Sequence, residues 1–114
     1  SNEEWIEWAR PVWLDIRETN TLNARTGREQ ADERHICPLQ LDFIERVIRL
    51  WSNPGETVFS PFAGIGSEPY TAVRLGRYGL GIELKPSYWR TAVDNLRAVE
   101  AELAMPSLFD EVES

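Results

Sequence analysis

One cysteine and one histidine stand among 114 residues. A lone Cys37 excludes an internal disulfide and fits a reducing cytoplasm. With only His35 near it, a structural zinc site lacks ligands, so no metal is expected. Nor is a catalytic Cys–His pair expected, because no orienting acid is evident beside these two. Cations are scarce as well: 12 Lys and Arg face 19 Asp and Glu, a net charge of −7. Affinity for duplex DNA follows the number of phosphates that Lys and Arg neutralise, so this chain alone should not grip a phosphate backbone. No apolar run is long enough to span a bilayer and no signal-peptide pattern opens the chain; no membrane association is expected. There is no internal repeat. What is present is a globular composition, 42% apolar, with five tryptophans, in a length suited to one domain.

Residues 1–16 form a tryptophan-rich segment. Trp5, Ile6, Trp8, Ala9, Val12, Trp13 and Ile16 recur at helical steps, and Pro11 should end a short helix near Ala9 or Arg10. Core packing is the expected fate of these tryptophans; the alternative is a surface covered by a missing part of the protein. Residues 17–34 are polar and charged and read as a linker. From Leu39 to Ser52 the pattern predicts a helix with Leu41, Ile44, Val47, Ile48 and Trp51 on one stripe, and with Asp42–Arg46 and Glu45–Arg49 as four-residue ion pairs. Asn53-Pro54-Gly55 turns the chain. A last helix should begin at Pro86, bury Trp89, Ala92, Val93, Leu96, Val99 and Leu103, and stop before Pro106, leaving residues 105–114 as an acidic tail.

The remaining stretch, Thr57 to Glu83, organises the chain. A short apolar run enters a turn built on Gly64 and Gly66. A helix follows and stops at Gly76, and a second apolar run ends on Glu83. This reads as strand, glycine loop, helix, strand, with parallel strands near 57–60 and 78–83 joined by a right-handed crossover. The glycines let the backbone approach a ligand, and the helix N-terminus offers amide donors. Glu83, about twenty residues on, is spaced to accept ribose hydroxyls. A tight turn with a solvated Glu83 is the bland alternative. A dinucleotide loop would carry a third glycine where Pro69 stands, which counts against an NAD-type oxidoreductase.

Pro61-Phe-Ala-Gly-Ile-Gly-Ser67 resembles motif I of the S-adenosylmethionine-dependent DNA amino-methyltransferases, which act on adenine N6 or cytosine N4. His35-Ile36-Cys37-Pro38-Leu39 is similar to their motif X, and Gly81-Ile-Glu-Leu-Lys-Pro-Ser-Tyr-Trp89 to their motif II. Three motifs in the family's permuted order span roughly residues 33–97. The resemblance implies an α/β, incomplete Rossmann-like methyltransferase fold, with residues 35–104 as the S-adenosylmethionine-binding core. It implies Ser60, Pro61, Phe62, Ala63, Gly64, Gly66 and Ser67 at the cofactor's methionine end. His35, Ile36, Cys37 and Pro38 would close that side, Glu83 would hold the ribose, and Leu84 would border the adenine. Ser60 stands where the family usually has Asp, and Glu68 would oppose the cofactor's own carboxylate. The family's catalytic tetrapeptide contains Pro-Pro, which this chain lacks, so no catalytic residue is expected within it. The chain therefore reads as the C-terminal, cofactor-side part of a longer DNA methyltransferase of the kind found in restriction-modification. Its expected partners are DNA, through the parent enzyme, and the missing N-terminal half; a homodimer of the fragment is conceivable from its open strand edges. A non-catalytic helper module is the other reading.

Overall fold

Parallel strands cannot be joined by a tight hairpin; they need a crossover, and a helix supplies it here. In the computed structural model, which describes residues 1–22 and 38–113, β1 (Thr57–Ser60) pairs with β2 (Tyr78–Gly81) in parallel register, Val58 opposite Gly79 and Phe59 opposite Leu80. The ladder's hydrogen bonds run on past β2: Ile82 N–H donates to the Ser60 carbonyl at 3.0 Å, and Ala63 N–H to the Ile82 carbonyl at 2.9 Å. The helices are α1 (Asn2–Trp8), α2 (Leu41–Trp51), α3 (Ser67–Arg74) and α4 (Pro86–Glu113). The crossover helix α3 is the hub: it touches both strands, and α2 and α4 pack against it.

The core follows from two periodicities. Ile44 and Ile48, four residues apart on α2, meet Ala72 of α3, with Val58 and Leu75 at the margin. On β2 the glycines alternate, so Gly79 and Gly81 lie on one face of the strand. A Cβ on Gly79 would lie 2.5 Å from the Pro69 carbonyl oxygen and 2.7 Å from its Cα. Pro69 itself is fully buried. The room that a third loop glycine makes from the helix side in dinucleotide folds is made here from the strand side.

On the opposite face Phe59, Tyr78, Leu80 and Ile82 are exposed. Parallel sheets ordinarily have both faces covered, whereas these four side chains leave one face open. Trp51, expected on the buried stripe of α2, is 77% exposed, and Trp89 of α4 is also exposed. Helical spacing names the apolar stripe, but burial needs a second layer against it. The N-terminal tryptophans do not form a core either. Trp5 is exposed, while Trp8 and Trp13 flank the Arg46 guanidinium at 5.5 and 5.4 Å. That is a cation–π clamp holding the segment to α2.

Arg46 is free to do this because the expected Asp42–Arg46 pair does not form. Arg46 pairs with Asp15. Asp42 accepts from Arg17 Nε and Nη2 at 2.9 and 2.7 Å, from the Arg17 backbone N–H, and from Asn20. A planar two-pronged contact plus a backbone donor outcompetes a single exposed helix pair. Arg17 holds the Asp42 carboxyl well below the usual carboxylate range, against an opposing push from burial. The Glu45–Arg49 pair forms as expected, at 3.1 Å.

Helix ends hold one further surprise. Ala9 caps α1 where Pro11 required a stop, but α4 runs through Pro106 to Glu113. The only helical bond proline must forfeit there is to the carbonyl of Glu102, an exposed residue that water can satisfy. Among the described residues no helix is long and apolar enough to cross a membrane.

Candidate functional site

The site grows out of the end of β1. Ser60 is buried, and its carbonyl is held by Ile82. The chain then turns through Pro61–Gly66 into α3. Gly64 and Gly66 have φ of 56° and 90°, a region that disfavours any side chain. Gly66 also stands against α4: a Cβ there would meet the Ala92 Cβ at 3.1 Å. The loop is thus both left-handed and tightly backed, which only glycine allows at this position.

Glu83 joins the two halves of the crevice. Its Oε2 accepts from the Gly64 N–H at 2.9 Å and its Oε1 from the Lys85 N–H at 3.2 Å. An ionised carboxylate has about four acceptor sites, so capacity remains for two further donors such as a pair of hydroxyls. The structure brings Ser60, Ala63, Gly64, Gly66, Ser67 and Glu83 together around this loop. Phe62 and Leu84 flank it, 86% and 94% exposed, as open apolar surface. Pro38 precedes α2 and is half-buried; His35, Ile36 and Cys37 lie outside the described residues.

At the head of α3 the donor set is reduced. Pro69 has no N–H, and Tyr70 N–H is already bonded to the Gly66 carbonyl at 2.8 Å. That leaves the Ser67 amide of the first turn, since the Glu68 N–H meets its own carboxylate. Burial pushes the Glu68 carboxyl up, partly offset by its own backbone N–H. The folded chain therefore holds this proton to higher pH than the unfolded chain. Ionised Glu68 costs stability once pH rises past the unfolded value near 4.5. Glu68→Gln should accordingly melt at a higher temperature than the parent at pH 7, with the gap closing towards pH 4. A gap that is absent at pH 7, or equal at both pH values, would show that Glu68 is not desolvated here.

The sequence pattern missed part of this site. The Lys85 amide cannot be recognised from residue type. The Tyr-Gly-Leu-Gly alternation of β2 was a usable signal, since period two places both glycines on one face. A cavity of about 540 Å³ lies away from the loop, lined in part by Trp5, Trp8, Arg49, Arg74 and Arg77. Its arginines are committed: Arg49 to Glu45 and Arg74 to Glu102, each at 3.1 Å, and Arg77 to the carbonyls of Ser52 and Leu75, each at 2.7 Å. The glycine crevice is therefore the better candidate.

Comparison with known proteins agrees with this geometry. The N6/N4-type family described as DNA methylase matches residues 1–94. Type II methyltransferase M1.MboII of Moraxella bovis is 41% identical over 54 residues, 47% of this chain and 21% of that protein. Type II methyltransferase M.BglI of Bacillus subtilis is 31% identical over 97 residues, 84% of this chain and 25% of that protein. TTHA0409 of Thermus thermophilus, provisionally assigned as a DNA modification methylase and solved with S-adenosyl-L-methionine, superposes with a TM-score of 0.63. It is 28% identical, over 87% of this chain and 33% of that one. The chain thus spans about a fifth to a third of these relatives' own lengths.

Proposed function

Because the chain belongs to the N6/N4 DNA methylase family, we propose that it is the S-adenosylmethionine-holding part of an enzyme that methylates an exocyclic amine of a DNA base, adenine N6 or cytosine N4. One observation carries the reading: the Glu83 carboxylate bonds the Gly64 amide at 2.9 Å, so the loop after β1 and the acid after β2 share one crevice. In it Ser60, Pro61, Phe62, Ala63, Gly64, Gly66 and Ser67 would face the methionine end, with Pro38 and the preceding His35, Ile36 and Cys37 beside them. Glu83 would take the ribose hydroxyls with its remaining acceptor sites, and Leu84 would border the adenine. The residues fit the group: Gly64 has no side chain and nothing within 4 Å of where a Cβ would stand, and Phe62 and Leu84 offer uncovered apolar surface. When bound, the cofactor supplies an electrophilic methyl group; this chain's part is to orient it and to exclude water from one side. A target base would have to be taken out of the duplex to reach it.

The remaining part of the parent enzyme is the partner this reading requires. It would provide the amine-holding Pro-Pro-aromatic motif and the DNA contacts, and would cover the exposed Phe59, Tyr78, Leu80 and Ile82 face. The same open face and strand edges favour a second outcome for the chain in isolation, self-association.

Isothermal titration with S-adenosylhomocysteine tests the cofactor reading. The chain should bind it, and Glu83→Ala should weaken binding by about 1–3 kcal/mol, the loss usual for charge-assisted hydrogen bonds. Equal affinity in the variant would remove Glu83 from the site, and a parent chain that does not bind would refute the cofactor assignment.

A further inference from the structure

Glu83 holds one side of the glycine loop, and a residue thirty positions beyond Ile65 holds the other. Asn95, on α4, donates its Nδ2–H to the Ile65 carbonyl at 2.9 Å. Ile65 is buried and lies between Gly64 and Gly66, at φ of 56° and 90°. The next group along the backbone, the Gly66 N–H, donates to the Ala63 carbonyl at 2.8 Å. Both polar groups of the Ile65–Gly66 peptide are therefore engaged, the carbonyl by α4 and the amide within the loop. One helical turn back, Ala92 backs the Gly66 Cα, so Ala92 and Asn95 meet the loop from one face of α4.

This bond has a specific consequence. A peptide unit followed by glycine can rotate about its own axis, because glycine accepts either sign of φ. Rotation would exchange the directions of the Ile65 carbonyl and the Gly66 N–H and would change the backbone that leads into Ser67. Apolar packing around Ile65 resists this weakly, since the carbonyl and amide are small and the side chain need not move. A donor on the carbonyl resists it directly. Asn suits the position because its amide donates without placing a charge beside the partly buried seam between the loop and α4.

We infer that Asn95 is a positioning residue of the cofactor site: its amide locks the Ile65–Gly66 peptide in one orientation, so that the loop and the start of α3 meet the cofactor preorganised. The cofactor half of this inference rests on the function proposed above; the loop half does not. Preorganisation raises affinity by removing the cost of ordering the loop on binding.

Two variants that cannot donate, Asn95→Leu and Asn95→Asp, test it by amide hydrogen exchange and by titration with S-adenosylhomocysteine, well below the melting temperature. Without ligand, the Gly66 and Tyr70 amides should exchange at least about tenfold faster in both variants. Tyr78 and Ile82, whose amides bond Glu56 and Ser60 across the sheet, should keep their protection. Affinity should fall about fivefold, the size expected of one neutral hydrogen bond. Unchanged exchange at Gly66 overturns the inference, and so does equal acceleration at Tyr78 and Ile82, which marks loss of the whole fold rather than of a local lock. Faster exchange at Gly66 with undiminished affinity overturns its cofactor half. A parent chain that binds no S-adenosylhomocysteine overturns the proposed function and the cofactor half together, and the exchange result still decides the lock.

Discussion

Purified alone, the 114-residue chain should transfer no methyl group to DNA, even at saturating S-adenosylmethionine, and should bind duplex DNA only weakly. Methyl transfer needs the donor methyl, the target amine and an extruded base held in one geometry, and such placement can account for about 7–11 kcal/mol of the barrier. In the proposed reading, the crevice around Gly64, Gly66 and Glu83 would orient the donor only. The sequence contains no Pro-Pro pair to hold the amine, and a net charge of −7 opposes a polyanion. Supplying the remainder of a full-length enzyme, by fusion or in trans, should restore both activities. That portion should also protect Phe59, Tyr78, Leu80 and Ile82, so exposed-surface labelling of Tyr78 should fall as activity appears. Tritium transfer to unmodified DNA is the direct assay. Incorporation above background by the isolated chain would place the catalytic group within residues 1–114 and reject this division of labour.

Gly79→Ala should destabilise the fold by about 3 kcal/mol or more, a large share of the stability of a small domain. The added methyl would sit 2.5 Å from the Pro69 carbonyl oxygen and 2.9 Å from the Pro69 carbonyl carbon. Those are backbone atoms in the first turn of α3 and cannot rotate away as a side chain end can. Relief requires α3 to lift from β2, and α3 is the element against which α2, α4 and both strands pack. Gly76→Ala is the informative control. It has no neighbour within 4 Å, but its φ is +83°, so its cost should be the left-handed penalty of about 1–2 kcal/mol. Urea midpoints for the two variants separate space from backbone conformation. If Gly79→Ala is no less stable than Gly76→Ala, the close approach of α3 to β2 does not limit the fold.

The seam at Gly79 also marks the boundary between what the sequence determines and what it leaves to the tertiary structure. Local chemistry was readable in advance. The strand–glycine loop–helix–strand unit stands where the spacing of Gly64, Gly66, Gly76 and Glu83 placed it, because turns and helix stops are set by the residues that occupy them. The Ile44–Ile48 stripe was readable for the same reason: helical period alone puts both residues on one face. The resemblance of three short motifs sufficed to identify the family, although Gly66, Gly81 and Glu83 in them meet partners that are distant in sequence, Ala92, Ala63 and Gly64.

Choices among equivalent partners were not readable. Asp42 had Arg46 one turn away and Arg17 twenty-five positions away, and it took the latter. Chain path decides which guanidinium can present its fork, and no helix-length window of sequence contains both. Trp51 and Trp89 satisfy the period of a buried stripe yet remain exposed, because period fixes a face and only a facing layer buries it. Asn95 carried no signal at all: it is one polar residue on a mostly exposed helix until the fold brings it to the Ile65 carbonyl. Residues acting on their own neighbours were thus settled by the sequence, while those acting across the chain were settled by where α3 and α4 come to rest.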